Sequence, residues 1–265
     1  MKRTIRAALL LGALWALLLS GCGPARTSRV ISDIPRNDKR AADFGLDEKG
    51  RVSYPGAVLG VDVSSHQGEI DWARVRADGV EFAILRIGFR GNTEGGLIVD
   101  ERFARNYVEA RQAGLKVGAY FFSQAISEEE ARQEADFVLE LLDEVPLELP
   151  VYYDWEEAKK GRTGGHGSSE VGTWARLFCE AVTAGGYRAG VYFNQRYGYS
   201  IMGLQNLTDY SFWLAEYDDS QSFSYQTQLW QFTGSGHVDG IDTIVDLDLM
   251  YAEDTEDEAD REAPG

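Results

Sequence analysis

The chain has 265 residues, of which 44% are hydrophobic and 26% are charged, and its formal net charge is −17 at pH 7. This length suits one large domain or two small ones, and single α/β barrels commonly reach it. A negative balance of this size argues against nucleic acid as a partner and excludes a general attraction to anionic polymers, so an anionic substrate would have to be held by local contacts.

The N terminus, residues 1–21, reads as a lipoprotein signal peptide. Three basic residues precede the apolar run 7–19, which is too short for a comfortable membrane span. The run ends in Leu-Ser-Gly-Cys at 19–22, which resembles a bacterial lipobox. The resemblance implies lipidation of Cys22 and an exported, membrane-anchored lipoprotein at the bacterial cell envelope. An ordinary secretory signal or an uncleaved anchor is the alternative.

Two polar segments flank the predicted domain, 57–252. Residues 22–56 are rich in Arg, Asp, Ser, Pro and Gly, which predicts a flexible tether. Residues 253–265 are dominated by Asp and Glu, which predicts a disordered acidic tail. Once Cys22 carries lipid, Cys179 is the remaining cysteine, and its helical surroundings predict a buried structural thiol and not a nucleophile.

Strand-like and helix-like segments alternate from residue 58 onward. The predicted strands are 58–64, 82–88, 116–122, 151–156, 188–194, 212–217, 227–232 and 245–251. The predicted helices are 71–78, 100–113, 127–142 and 170–184. Alternation of this kind predicts a parallel sheet, and eight strands predict a closed barrel. An open doubly wound sheet is the alternative, but no glycine-rich phosphate fingerprint follows the first strand.

The fourth predicted strand ends in two acids, Asp154 and Glu156. Side chains alternate between the faces of a strand, so these two project to one side and Trp155 projects to the other. Paired carboxyls on one face match the needs of glycoside hydrolysis, which uses a protonated acid and an ionised partner. Taken alone, the stretch favours a polar strand end that runs into a surface loop, because acids are common on protein surfaces.

Active residues of an α/β barrel lie at the C-terminal ends of its strands. By this rule Asp62 and Asp246, from the first and eighth strands, join Asp154 and Glu156 as candidate catalytic residues. The candidate substrate-binding residues are Tyr120, Tyr192, Trp213, Tyr217, Trp230 and Gln231. Several acids inside a ring of Trp and Tyr make a poor structural core but suit a carbohydrate, whose CH surfaces pack on aromatic faces.

No metal or cofactor is predicted. The chain has three histidines, His66, His166 and His237. They are widely separated and lack the spacing of zinc ligands. Arg86, on a predicted buried strand, is expected to pair with an acid, and residues 161–169 are expected to form a mobile loop over the barrel mouth.

A set of motifs in fixed order resembles the glycoside hydrolase family 25 lysozymes, the N,O-diacetylmuramidases. The motifs are Gly60-Val61-Asp62-Val63-Ser64, Gly118-Ala119-Tyr120, Asp154-Trp155-Glu156, Gly190-Val191-Tyr192, Trp213-Leu214-Ala215, Leu229-Trp230-Gln231 and Val245-Asp246-Leu247. The ordered set is specific, and it covers nearly the whole globular part of the chain. The third strand departs from the family because it reads Tyr120-Phe121-Phe122, whereas many relatives have a polar residue after the tyrosine.

The resemblance implies an α/β fold, an irregular TIM-like (β/α)5(β)3 barrel with a single catalytic domain. It also implies cleavage of the β-1,4 bond between N-acetylmuramic acid and N-acetylglucosamine in peptidoglycan. By position, Glu156 matches the general acid, and Asp154 matches the carboxylate that assists the substrate's N-acetyl group or handles water. Asp62 and Asp246 match the flanking acids. The expected protein is a monomer whose partners are a peptidoglycan glycan strand and, through Cys22, a lipid membrane.

Two other functions stay open. One is a catalytically silent, membrane-tethered glycan-binding protein, against which the presence of all four acids counts. The other is a barrel hydrolase of another polysaccharide, but of the chitinase-like pattern Asp-x-x-Asp-x-Asp-x-Glu only the final Asp-x-Glu occurs. The mechanism predicts an apolar, aromatic surround that raises the pKa of Glu156. Retention and inversion both remain open, with net retention preferred.

Overall fold

The structure, a computed structural model, describes residues 34–252. The predicted signal peptide, Cys22, the beginning of the predicted tether and the tail 253–265 lie outside these residues. The described residues belong to one compact unit. No helix in this part of the chain has both the length and the apolar character needed to cross a membrane.

The elements follow the predicted alternation. The strands are β1 Gly45–Leu46, β2 Val52–Ser53, β3 Val58–Val63, β4 Phe82–Arg90, β5 Leu97–Val99, β6 Lys116–Ser123, β7 Val151–Trp155, β8 Ala189–Asn194, β9 Ser211–Ala215, β10 Leu229–Gly236 and β11 Val245–Met250. The α-helices are α1 Trp72–Ala77, α2 Phe103–Gln112, α3 Glu128–Leu142, α4 Ser168–Ala184 and α5 Gln195–Ser200. Each predicted strand and helix is present with its bounds shifted by a few residues, whereas β1, β2, β5 and α5 were not predicted.

Eight of these strands close into a barrel. Their order around it is β3, β4, β6, β7, β8, β9, β10 and β11, and β11 pairs back to β3, while β5 extends the sheet beside β4. A helix follows each of β3, β4, β6, β7 and β8 before the next barrel strand, and loops and short turns join the last three strands. This arrangement confirms the irregular (β/α)5(β)3 barrel.

The last strand, β11, runs against the others. It pairs antiparallel with β10 and with β3, whereas the other barrel strands pair in parallel. Asp246 therefore lies near the beginning of its strand and not at the predicted C-terminal end. The register sets Asp246 opposite Asp62. The reversed direction thus brings Asp246 to the barrel mouth, although the rule used to predict its place does not apply to an antiparallel strand.

Aromatic rings fill the lower part of the barrel interior. A Cβ atom on Gly60 would lie 2.1 Å from the ring of Phe82, and one on Gly190 would lie 2.4 Å from the ring of Tyr152. Glycine at these two inward positions makes room for the rings, which pack with Trp213 and other buried apolar side chains. The space above this apolar layer is left to the polar side chains at the mouth.

Residues 34–56 differ from the predicted flexible tether. β1 and β2 pair as an antiparallel hairpin, and Arg36 forms a bridge with Tyr225. The ring of Phe44 packs edge-on against Trp230, with the centroids 5.2 Å apart. The few apolar residues of this segment show no periodicity, but Ile34 and Val52 are buried and Phe44 packs on the outer face of the barrel. The predicted tether therefore extends too far toward the barrel.

Candidate active site

A cavity of about 390 Å³ opens at the mouth of the barrel. All four candidate catalytic acids line it, together with five of the six candidate substrate-binding residues. These residues are Asp62, Asp154, Glu156, Asp246, Tyr120, Tyr192, Trp213, Tyr217 and Gln231. The structure thus brings together side chains from seven strands or strand ends, as the sequence predicts, while their individual roles stay predictions.

Strand alternation explains why the acids face the cavity. Asp154 and Glu156 occupy inward positions two residues apart at the end of β7, and Trp155 between them points outward. The buried indole N–H of Trp155 donates to the carbonyl of Ala125 at 2.9 Å, which anchors the end of β7 to the segment that follows β6. The local sequence pattern therefore determines which face of this strand carries the acids.

Trp230 is the candidate substrate-binding residue that does not reach the cavity. Its indole N–H donates to the carbonyl of Glu216 at 2.8 Å, and its ring is covered by Phe44. Gln231 occupies an inward position on β10, so the period of two turns Trp230 to the outer face. Two adjacent residues of one regular strand cannot both face the substrate, and the prediction for Trp230 is wrong for this reason.

Gln231 connects the acid of β3 with two tyrosines. Its Nε2 donates to Asp62 Oδ2 at 2.7 Å. Its Oε1 accepts hydrogen bonds from the hydroxyls of Tyr192 at 2.9 Å and Tyr217 at 3.0 Å. Because both ends of the amide are occupied, the orientation of Gln231 is defined, and it holds Asp62 in place at the barrel mouth.

A fifth carboxyl, Asp248, lies in contact with Asp62 and was not predicted as a site residue. It is fully buried, and its Oδ1 accepts from the indole N–H of Trp213 at 2.8 Å. Burial raises the pKa of Asp248 to about 7. Burial and the negative charges of Asp248 and Asp246 raise the pKa of Asp62 well above its usual value. The two touching carboxyls therefore hold a proton between them near neutral pH. The strand period from Asp246 would have identified this residue.

Asp154 and Glu156 differ in their surroundings. Asp154 is 7% exposed, whereas Glu156 opens to solvent at the cavity mouth. Burial raises the pKa of both carboxyls, and the charge of Glu156 raises the pKa of Asp154 further while Arg86 lowers it. The apolar, aromatic surroundings predicted for Glu156 therefore enclose Asp154 more completely than they enclose Glu156. Within residues 34–252, the buried Oδ1 of Asp154 has no hydrogen-bond partner.

Arg86 places a positive charge among these carboxyls. Its Nε lies 2.8 Å from Asp100 Oδ2, and its Nη2 donates to Ser65 Oγ at 3.1 Å. Asp100 also accepts from the backbone N–H of Ser65 at 3.0 Å. The partner of Arg86 is therefore an acid outside the candidate catalytic set, and this pairing fixes the guanidinium at the edge of the cavity.

Among the residues that the structure describes, histidine and cysteine side chains form no second centre. Across residues 34–252, no group of three or more His, Cys, Asp or Glu side chains is arranged to hold a metal ion. His66 lines the cavity. Cys179 is a buried free thiol within α4, and burial raises its pKa far above the usual range. It is a structural thiol, as predicted.

Comparisons with known proteins agree with this geometry. The family model for glycosyl hydrolases family 25 matches residues 61–241. An uncharacterized protein, YegX of Escherichia coli K12, is 30% identical over 210 residues, which cover 76% of this chain and 72% of YegX. The autolytic lysozyme of Clostridium acetobutylicum is 27% identical over 190 residues, which cover 71% of this chain and 54% of that protein.

The solved structures show the same barrel. The modular autolysin LytC of Streptococcus pneumoniae, in complex with a synthetic peptidoglycan ligand, matches with a TM-score of 0.66 at 23% identity. The match covers 82% of this chain and 52% of LytC, so the chain spans about half the length of that protein. The family model covers more than half of the chain, including Asp62 on β3, Asp154 on β7 and Glu156 directly after β7. The chain therefore belongs to glycosyl hydrolases family 25.

Proposed function

We propose that this protein is a peptidoglycan muramidase. It hydrolyses the β-1,4 bond between N-acetylmuramic acid and N-acetylglucosamine. The observation that carries the proposal concerns Asp154, which lines an acid- and tyrosine-lined cavity beside Glu156 and whose buried Oδ1 has no hydrogen-bond partner in the described part of the chain. Buried polar atoms are almost always paired, and an acetamido N–H of the substrate supplies the missing donor.

Relatives support the choice of substrate. One similar protein is an autolytic lysozyme, and the structurally similar LytC has been solved with a synthetic peptidoglycan ligand. Both sugars of the peptidoglycan strand carry an acetamido group. The aromatic side chains in the cavity wall, such as Tyr120 and Tyr192, suit the CH faces of such sugars.

Glu156 is the general acid in this proposal. It is the more open member of the coupled pair, so it reaches the leaving-group oxygen at the mouth. Burial raises its pKa, so that Glu156 keeps its proton to a higher pH than an exposed glutamate does. A hydrogen bond from the acetamido N–H favours the ionised form of Asp154 and leaves the proton of the pair on Glu156.

The acetamido carbonyl oxygen serves as the nucleophile. It attacks the anomeric carbon while Glu156 protonates the leaving oxygen. Water then gives a proton to the Glu156 carboxylate as it adds to the anomeric carbon, and this opens the cyclic intermediate with net retention. Asp246 and the proton-sharing pair of Asp62 and Asp248 place negative charge near the positive charge that develops at the anomeric carbon. Tyr192 and Tyr217 hold this arrangement in place through Gln231.

Reducing-end analysis of digested peptidoglycan tests the proposal. The wild-type protein should release fragments with N-acetylmuramic acid at the new reducing end. The Glu156→Gln variant should lose about 100-fold or more of this activity, and Glu180→Gln, which changes an exposed acid of α4, should retain it. A new reducing end on N-acetylglucosamine, or equal activity of the Glu156→Gln variant, contradicts the assignment. Binding to walls without any release would support the silent glycan-binding alternative.

We also propose that Cys22, which lies outside the described residues, anchors the protein in a membrane as an exported lipoprotein. The support is the signal-like run 7–19 and the lipobox-like motif at 19–22. An anchor of this kind would keep a negatively charged enzyme close to its substrate.

A further inference from the structure

Glu156 lies just outside the regular part of β7. β7 ends at Trp155, so Glu156 is the first residue beyond the strand. Beyond the strand end, the peptide groups no longer have the regular ladder partners that hold the rest of the strand. A carboxyl that must meet one particular oxygen needs another restraint on its backbone.

Two buried side chains hold the carbonyl group of Glu156. Gln124 Nε2 donates to it at 3.0 Å, and Thr163 Oγ1 lies at the same distance of 3.0 Å as a second donor. Both side chains are almost completely inaccessible, with 1% exposure for Gln124 and 0% for Thr163. The Thr163 hydroxyl also accepts the backbone N–H of Ala158 at 2.7 Å. One hydroxyl thereby connects the carbonyl of Glu156 with the turn that follows it.

The residues on either side of Glu156 are held as well. Trp155 is bound through its indole N–H to the carbonyl of Ala125. The backbone N–H of Glu157 donates to the hydroxyl of Tyr197 at 3.0 Å. The peptide of Glu156 is thus restrained by groups from three places in the fold, which are the segment after β6, the loop after β7 and helix α5.

The loop that carries Thr163 is itself attached to the barrel. The backbone N–H of Arg162 donates to Asn92 Oδ1 at 3.3 Å, and its guanidinium pairs with Glu130 at 2.5 Å. A Cβ atom on Gly161 would lie 1.9 Å from Asn92 Oδ1, so glycine is required for this approach. The first part of the predicted mobile loop, 161–169, is therefore anchored and does not behave as a free lid.

We propose that Thr163 and Gln124 are positioning residues, which fix the peptide of Glu156 and thereby aim its carboxyl at the leaving-group oxygen. The catalytic consequence of this inference rests on the proposed function, whereas the contacts are observed independently of it. Neither side chain lines the cavity, so both act through Glu156. The hydroxyl of Thr163 is the more important of the two groups because it links the carbonyl of Glu156 to the backbone N–H of Ala158 in the turn that follows.

Three variants of threonine test this role. Thr163→Val keeps the shape and removes the hydroxyl, and Thr163→Ser keeps the hydroxyl. Thr173→Val removes a hydroxyl that donates to the carbonyl of Ser169 on the surface of α4, and it serves as the matched control. We expect Thr163→Val to lower kcat on peptidoglycan about 10- to 100-fold with KM changed less than about twofold. Thr163→Ser and Thr173→Val should retain wild-type kcat.

A second measurement separates positioning from stability. The carboxyl carbon of Glu156, followed by NMR in the free protein as the pH is varied, should titrate at a different pH in Thr163→Val and at the wild-type pH in Thr163→Ser. A folded Thr163→Val protein with a lower Tm but unchanged kcat and unchanged titration overturns the proposal. If that variant does not fold, Gln124→Met, which removes the other donor to the same carbonyl, is held to the same criteria.

The two proposals fail in different ways. If the wild-type protein releases no muramic acid reducing ends, the proposed function fails, and the NMR titration still decides whether Thr163 and Gln124 control the Glu156 carboxyl. If the wild type is active and Thr163→Val is indistinguishable from it in both measurements, the positioning proposal fails while the muramidase assignment stands.

Discussion

The coupled carboxyls Asp154 and Glu156 govern the expected pH dependence at the residue scale. Because burial raises the pKa of both carboxyls, and the charge of Glu156 raises that of Asp154 further, activity should decline on the alkaline side above the usual carboxyl range near pH 4. In Asp154→Asn the neighbouring negative charge is absent, so the pKa of Glu156 should fall. The alkaline limb of the residual kcat/KM should move to lower pH.

The measurement is a pH profile of kcat/KM for the wild type and for Asp154→Asn. Asp136→Asn, an exposed acid on α3, provides the control and should reproduce the wild-type profile. An alkaline limb that stays in place or moves to higher pH in Asp154→Asn would show that the two carboxyls are not coupled as the geometry indicates.

Asp248 makes stability depend on pH. Its pKa is about 7 in the folded protein and near 4 in the unfolded chain. Between these values the folded state binds a proton that the unfolded state has released, so the free energy of unfolding falls as the pH rises. Asp248→Asn should remove a slope of about 1 kcal/mol per pH unit, because the amide is neutral and still accepts from Trp213.

Urea unfolding at several pH values between 4 and 8 would measure this slope. Glu134, another buried acid whose pKa rises to about 7, should leave a residual slope of the same sign in the variant. The control Glu180→Gln should keep the wild-type slope. If the stability of Asp248→Asn depends on pH as steeply as that of the wild type, the carboxyl does not carry the proton assigned to it.

The segment 34–56 stabilises the barrel at the element scale. Its residue Phe44 covers Trp230 on the outer face of β10, away from the cavity. Phe44→Ala should lower the free energy of unfolding by about 2 kcal/mol, because truncation of a partly buried ring costs less stability than truncation of a fully buried one. KM for peptidoglycan should be unchanged. Leu46→Ala is the matched control, because Leu46 on β1 is 64% exposed and should contribute little.

Denaturation measures the free energy of unfolding of the two variants, and steady-state kinetics measures their KM. A raised KM with unchanged stability in Phe44→Ala would indicate that the outer face of β10 contacts substrate after all. The combination of lower stability and unchanged KM would place Trp230 in the core, as its contacts with Phe44 and with the Glu216 carbonyl indicate.

Charge and attachment matter at the scale of the whole molecule. A net charge of −17 provides no general attraction to anionic polymers, and a lipid anchor would keep the enzyme near the wall by raising its effective concentration. The Cys22→Ser variant should therefore be lost from the membrane fraction, while the purified variant keeps its activity on solubilised peptidoglycan. Cys179→Ala, which changes the chain's second and last cysteine, should remain in the membrane fraction.

Fractionation with immunodetection of both variants is the direct measurement. The lipoprotein proposal does not survive if Cys22→Ser stays in the membrane fraction. Loss of Cys179→Ala from that fraction would likewise count against it, because a buried thiol of the barrel has no part in anchoring.

Local pattern alone determined much of the fold and part of the site. The eight strands and the faces of Asp154, Glu156 and Trp155 follow from a side-chain period that is a property of the backbone itself. The motif order was enough to predict the family. These features depend on residues close together in the chain, which is why the sequence shows them directly.

Only the tertiary structure decided the rest. Three features depend on partners far away in the chain or on the direction of a strand. They are the choice of Gln231 over Trp230 as the residue that faces the cavity, the contact of Asp248 with Asp62, and the hydrogen bond from Thr163 to the Glu156 carbonyl. Spacing along one segment carries no information about which distant group will cover it. The sequence therefore determined which acids are available to this protein. The closed barrel decided which neighbouring groups set the protonation of those acids and the direction of their carboxyl groups.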